Sequence, residues 1–548
     1  MPKSENSSSL RLSPVDQASF PVYVRLLYIF PFPDTSQRPH AERHVRERLE
    51  ACLTRWPWLG GHVVGVDNAA SPAIEVRYRD PTPSSSPLDV PNRRDGDGCE
   101  EEEILVVKEL GLREGWVGSY EELAARRWFG EGLLDKDVLS NRPEHPELGE
   151  RRRWPALGLQ VNWVDGGLVL CFGFHHQVVD GCGITRFLEE FAGDGREEVL
   201  EGVDSADGAR GAIVFRLPLF VKDRAPPEEY CFDYRTHVPL PDSEVPGERG
   251  KNVTRILRFD ASGLRRLKGE VNAELKKRCP DLWVSTMDCL CAMIWIGLTR
   301  ARWQRGREAG KAGAGEALEP HETTRFNIAV DARRRLQPPL PDTYMGNAFV
   351  VAVAQARVED VIGTTASRVH PLPTPPASPI QPAAERRACP PTTQTIATAA
   401  LRIRQAINSV DDAYIRRRFN FAASFCAKQT PAHVSPGDCG AALHRALDPA
   451  RAGVDCSSWI DFPVTDFRIP GTTTTMATDG GQDGGEGRPA WVRKTYSANP
   501  GAVNVLPRRG GTKGSDEDEW EVLVAAAEVD VERMVEGMEE CRGFLGVV

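Results

Sequence analysis

The residues most suited to chemistry lie in one run, Phe174-His175-His176-Gln177-Val178-Val179-Asp180-Gly181-Cys182-Gly183. An imidazole titrates near the working pH, so it can take a proton from a reacting group and return it later. Successive strand side chains point to opposite faces, so only one of the two rings can reach a given cleft. Gly181 and Gly183 permit a tight turn and a close backbone approach behind the pair. The bare H-x-x-x-D spacing is weak evidence, because His444-Arg445-Ala446-Leu447-Asp448 fits it too. That second match reads as an exposed i, i+4 pair in a helical stretch. The first adds a doubled His, a following Gly and a strand–loop–helix setting. Its plainer reading is a buried His that bonds backbone at the end of a strand.

Other candidates carry less. His40 and His44 share a helix face, but the order is H-x-E-x-H, so no metal is expected there. Cys289-x-Cys291 has the wrong spacing for a zinc knuckle and reads as core. Gly166-Gly167, Gly484-Gly485 and Gly510-Gly511 form no phosphate cradle. The basic runs Arg151–Arg153, Arg333–Arg335 and Arg416–Arg418 read as solvated faces, any of which could meet a phosphate. Ser7–Ser9 reads as a disordered tail.

The elements that must position the His run are legible in the apolar pattern. Leu157, Leu159, Val161 and Trp163 mark a strand, Asp165-Gly166 a hairpin turn, and Gly167–Phe174 a returning central strand. Ile184, Phe187, Leu188 and Phe191 then fall on one helix face. His44–Leu53, Ser285–Arg300, Ala399–Ile407 and a segment from about Val531 read as helices. Phe326–Val330, Phe349–Val353 and Glu521–Ala525 read as strands. Mixed strands and helices in both halves indicate an α/β architecture in two lobes.

Composition bounds the function. The chain has 548 residues, a formal net charge of −10 and 41% hydrophobic residues, as an ordinary globular protein does. An acidic balance argues against a dedicated nucleic-acid binder. The polar N-terminus shows no secretory signal and no apolar run is long enough to span a membrane, so a soluble, cytoplasmic protein is expected. Its 13 Cys, without a CxxC pair, fit a reducing compartment. Four stretches, Asp80–Glu103, Lys222–Lys251, His370–Thr393 and Thr472–Glu486, read as linkers or insertions.

H-H-x-x-x-D-G after a central strand resembles the BAHD-type CoA-dependent acyltransferases, most closely their fungal trichothecene 3-O-acetyltransferase-like branch. Further stretches resemble the family in chain order. They are Leu12–Gln17, Trp56–Gly61, Val284–Asp288, Val330–Arg333 leading to Tyr344-Met345-Gly346-Asn347, Ser457-Ser458-Trp459, and Asp466-Phe467 with Gly487-Arg488-Pro489. The family's D-F-G-x-G before Pro is split here, with Arg468–Glu486 in place of a short turn. That insertion is expected to be a surface excursion, with Phe467 and Trp491 packed on either side.

The resemblance implies a two-lobed chloramphenicol acetyltransferase-like fold. Its N-terminal lobe would span residues 1–221, a crossover linker 222–251, and a C-terminal lobe 252–548 with insertions at 370–393 and 472–486. It implies that His176 is the general base. Asp180, Gly181 and Arg333 would support the site, with Asp180 pairing to Arg333. Ser457 and Trp459 would line the acceptor pocket and help the oxyanion. The expected reaction moves an acyl group, acetyl first, from acyl-CoA to a hydroxyl or amine of a small secondary metabolite. It needs no metal and no bound cofactor, and a monomer is expected. A carrier-protein-dependent condensation domain and a non-catalytic binding protein on the same fold are the alternatives.

Overall fold

A computed structural model of the chain describes residues 7–19, 21–66, 73–79, 86–88, 103–110, 116, 118–129, 136–144, 146, 153–193, 251–277, 280–311, 318–363, 391–427, 453–464, 466–472, 487–495, 501–508, 519–539, 541 and 543–548. Residues 194–250, most of the Asp80–Glu103 and His370–Thr393 stretches, residues 473–486 and the His444–Asp448 match lie outside these.

The first half contributes β1 (Ser7–Arg11), β2 (Tyr23–Pro31), β3 (His62–Val66), β4 (Ala73–Arg79), β5 (Leu105–Glu109), β6 (Arg153–Pro155), β7 (Leu157–Val164) and β8 (Gly167–His175). The second contributes β9 (Asn252–Asp260), β10 (Thr323–Asp331), β11 (Phe349–Arg357), β12 (Gly453–Ser458), β13 (Trp491–Lys494), β14 (Ala502–Val505), β15 (Glu519–Ala527) and β16 (Phe544–Val547). They form three sheets, β1-β4-β3-β6, β13-β2-β8-β7-β5 and β11-β10-β12-β14-β15-β9-β16. Ser7–Ser9 is therefore no disordered tail. It pairs with Arg77–Arg79 as an edge strand.

The hairpin, the central strand and the following helix stand where the pattern puts them. β7 and β8 pair antiparallel, and Gly166 turns between them at φ +72°, a conformation that favours glycine. β8 sits between β2 and β7, so both its edges are paired, and all nine of its residues are buried, so both its faces are covered too, which explains its largely apolar run. All eight residues of β7 are buried. Its polar Gln160 and Asn162 are accommodated by donating to the carbonyls of Val138 and Leu139. The helix Gly181–Ala192 lays Ile184, Phe187, Leu188 and Phe191 into the same core.

A second core surrounds the helix Thr286–Lys311 and the seven-stranded sheet. Cys289 and Cys291 are buried in it, so their role is packing. The basic runs differ from expectation. Arg333 and Arg418 are buried, and Arg335 donates to the carbonyls of Ile407 and Val410.

β13 belongs to the C-terminal part of the chain yet pairs with β2. Its Arg493 forms a buried ion pair with Glu521 of β15 at 2.8 Å and donates twice to the Arg127 carbonyl. Burial pushes the Glu521 carboxyl up, but Arg493 and Arg127 outweigh it and hold it at about 2. This cluster ties the five-stranded sheet to the seven-stranded one.

The split motif is narrower than expected. Phe467 is fully buried and stacks on Tyr28 at 4.3 Å, and Trp491 is buried. Residues 468–472 are not part of an excursion, because Ile469 and Thr472 are themselves buried. The Gly487 N–H donates to the Thr472 carbonyl at 3.1 Å, so the chain leaves and returns at one point. Deleting 473–486 and closing Thr472 to Gly487 with Gly-Asn should shift stability by no more than about 2 kcal/mol and preserve turnover, since loop length enters closure entropy only logarithmically. Urea midpoints check this. Removing 468–472 as well should unfold the protein more easily, because Ile469 leaves the core.

Candidate active site

The His run sits where β8 ends. β2 and β8 pair with Tyr23 opposite His175, and the two rings meet edge-on at 5.1 Å. His175 is fully buried, and among the described residues neither of its ring nitrogens meets a hydrogen-bond partner. Burial, then the adjacent His176, push its pKa down to about 3, so it is neutral at any working pH. His176 is half-buried and faces the other way, its ring 5.8 Å from that of Phe349 at the start of β11. Alternation along the strand thus separates the two rings as expected.

His176 is held through its backbone on both sides. Its N–H donates to the Val22 carbonyl at 2.8 Å, and its carbonyl accepts from Asn347 Nδ2 at 2.8 Å. Burial lowers its pKa. Its own backbone carbonyl, the Asp180 charge, the Asn347 side chain and the Asp16 charge act in the opposite sense and fall short. The ring is therefore neutral at neutral pH and able to accept a proton.

Asp180 does not serve the imidazole. It caps the Gly181–Ala192 helix, accepting from the N–H groups of Cys182 and Gly183, both at 3.1 Å. It also accepts the Ala348 N–H at 2.9 Å and both terminal nitrogens of Arg333, at 2.8 and 3.0 Å. Such a two-pronged pair is both strong and directional. Burial pushes the Asp180 carboxyl up, but Arg333 and the backbone donors outweigh it and hold it below the usual carboxylate range. Arg333 also donates to the carbonyls of Tyr344 and Gly346 and to Asp331. One guanidinium thereby locks the 344–348 loop against the His loop.

The two glycines behave differently. A Cβ on Gly183 would stand 2.3 Å from the Met345 carbonyl, so only glycine lets the helix approach that loop. At Gly181 a Cβ would meet nothing within 4 Å. Its expected role in a close approach is not seen.

Ser457 and Trp459 reach this region by sheet topology. β10 and β12 run parallel with Ile328 beside Cys456, so their C-terminal ends lie side by side. β11 starts there too, with Phe349 opposite Asp331. Arg333, Phe349, Ser457 and Trp459 therefore leave one end of the seven-stranded sheet. Ser457 is half-buried, while Trp459 is buried and stacks on Phe462 at 5.6 Å. Ser457 and Trp459 are joined to His176 only through this shared sheet end, whereas Asp180 and Arg333 meet directly. Among the described residues no cluster of His, Cys, Asp and Glu is placed to hold a metal.

Two residues of the site carried no role in the sequence reading, Asp16 and Asn347. Both are fully buried, and Asn347 donates to Asp16 Oδ1 from its backbone N–H at 2.7 Å and from Nδ2 at 2.9 Å. Both lie in stretches quoted for the resemblance.

Residues 131–372 match the model of the family described as Transferase family. The O-acetyltransferase astG of Aspergillus oryzae is 25% identical over 94% of this chain and 97% of its own length. The trichothecene 3-O-acetyltransferase TRI101 of Fusarium sporotrichioides is 24% identical over 64% of this chain and 69% of its own. The crystal structure of F. graminearum TRI101 complexed with coenzyme A and T-2 mycotoxin superposes with a TM-score of 0.63 at 18% identity, covering 96% of both chains. That likeness shows the two-lobed α/β fold.

Proposed function

We propose that this chain, whose residues 131–372 match the model of the Transferase family, is an acyl-CoA-dependent acyltransferase that uses His176 to move an acyl group from CoA to a hydroxyl or amine of a small secondary metabolite. The observation that carries the assignment of His176 is the opposite placement of the paired rings. His175 is sealed in the core, whereas His176 is neutral, half-buried and fixed at the end of a rigid central strand.

The neutral His176 ring takes the proton of the acceptor O–H or N–H as that atom bonds to the thioester carbonyl carbon. The carbonyl π electrons move to oxygen, giving a tetrahedral intermediate. Its collapse breaks the C–S bond, and the imidazolium returns the proton to the departing thiolate. Asp180 and Arg333 hold the loop and touch no substrate. Ser457 and Trp459, delivered by β12 to the same end of the sheet, line the acceptor pocket and offer a hydroxyl toward the developing oxyanion. No metal or resident cofactor takes part, and acyl-CoA is a co-substrate.

Relatives named as O-acetyltransferases make acetyl the first donor to test, and the trichothecene relative makes hydroxylated terpenoids the first acceptors. We divide the chain into lobes at 1–221 and 252–548, joined by 222–251, with β13 returning to the N-terminal sheet. The chain is expected to act as a monomer. Among the described residues no helix is long and apolar enough to cross a membrane, and a cytoplasmic CoA pool suits the donor.

Acetyl-CoA and a panel of hydroxylated terpenoids, read by mass spectrometry, test the reaction. The pH dependence tests the base. Only the neutral ring can accept a proton, so kcat/KM should fall toward acid with a midpoint below the ordinary imidazole value of 6.5. It should be level from there through neutrality. A profile flat from about pH 5 to 9 would exclude a histidine base whose pKa lies inside that window.

A further inference from the structure

We infer that Asp16 and Asn347 are positioning residues for His176, so that a short N-terminal segment aims the base of the reaction. The inference rests on the reading of His176 as that base. The helix Pro14–Ala18 begins at a capping box in which Ser13 and Asp16 bond one another's backbone N–H groups. That fixes the Asp16 carboxylate. Its second oxygen, Oδ1, points out of the box and takes two donors from Asn347, a residue 331 positions away. The same Asn347 Nδ2 then donates to the His176 carbonyl. Both atoms facing Nδ2 can only accept, so the amide has one orientation.

The next tie runs in parallel. Gln177 Nε2 donates to the Gln17 carbonyl at 3.1 Å. Residue 16 thus engages the backbone at 176 through Asn347, and residue 17 engages the side chain at 177 directly. Ser13, Asp16 and Asn347 are all buried, so these bonds do not compete with bulk water. An apolar helix would have sufficed to pack this segment. A fully buried carboxylate whose outward oxygen is committed to the residue that holds the base is a positioning device.

Among the described residues, the charged groups acting on the imidazole are Asp16, from the N-terminal segment, and Asp180, from its own loop and paired to Arg333, with neutral His175 behind. Both Asp16 and the Asn347 side chain favour the protonated ring. Removing either should therefore make His176 easier to deprotonate, while misaiming it.

The experiment uses the full-length enzyme with Asp16→Asn, Asn347→Ala and Asn347→Ser, the last retaining one donor. We expect kcat to fall tenfold to a hundredfold, with KM for acetyl-CoA within twofold. The acid limb of kcat/KM should move to lower pH in Asp16→Asn and Asn347→Ala, and Asn347→Ser should recover part of kcat. His176→Ala is measured alongside. If His176→Ala turns over normally, the base assignment itself fails. If His176→Ala is inactive while the folded Asp16 and Asn347 variants keep wild-type kcat and acid limb, only this inference fails. A fall in kcat with an unmoved limb and a proportionate rise in KM marks a structural role and overturns it. So does a set in which no variant is folded at the assay temperature by circular dichroism.

Discussion

His176→Ala should lower kcat by about 10²–10⁴, the usual worth of a positioned base, and leave the melting midpoint close to wild type. The half-buried ring packs against Phe349, while the hydrogen bonds to the Val22 carbonyl and from Asn347 Nδ2 involve the backbone of this residue and survive the substitution. His175→Ala should show the reverse. Its ring is fully buried against Tyr23, so truncation opens a cavity, for which large-to-small core changes cost about 2–5 kcal/mol. Its kcat should stay within tenfold of wild type, because the backbone at 175 still anchors the loop through the Val178 N–H. Stopped assays with acetyl-CoA and urea titrations separate the two effects. A His175 variant that keeps its stability and loses turnover would invert the assignment.

The hairpin, the central strand, the helix after the His run and the opposite facing of the two rings were legible because each follows from local periodicity. A strand covered on both faces is mostly apolar, and β8 is apolar from Gly167 to Phe174. A helix on one core must repeat its apolar positions at three and four, as Ile184 to Phe191 do. The Asp180–Arg333 pair was reached through resemblance and not through spacing, since 153 positions separate the two residues. What stayed hidden was non-local. Nothing within β13 says that Trp491–Lys494 will pair with Leu26–Ile29. Ser7–Ser9 looks like a tail until β4 supplies its hydrogen-bonding partner. Polar residues misled for one recurring reason. Arg418 read as part of a solvated face and Asp16 carried no role, yet both are buried, and a single sequence does not reveal that Asp16 will meet Asn347, 331 positions away.

Arg333→Ala should destabilise the protein by about 3–5 kcal/mol, because breaking a buried ion pair strands the remaining charge. Asp180 and Arg333 are 3% and 4% exposed, so solvent screens the pair little. The variant would leave the Asp180 carboxylate with only three backbone donors, from Cys182, Gly183 and Ala348. It would also free the carbonyls of Tyr344 and Gly346, unlocking the loop that holds Asn347. Turnover should therefore fall along with stability. The pH dependence gives the effect a signature. In the wild-type protein Asp180 titrates below its ordinary 3.8, so its pairing stabilises fully above that value and fades as pH falls through the lower folded value. Without Arg333 the leading influence left is burial, which raises the carboxyl and penalises its charged form. The deficit of Arg333→Ala relative to wild type should then be largest near neutrality and shrink toward acid. Arg333→Lys should recover only part of it, since an ammonium cannot span both carboxylate oxygens and two carbonyls in one plane. Asp180→Asn tests the same pair from the other side, and a normal melting midpoint with normal turnover there would show that the ion pair does not hold the His loop.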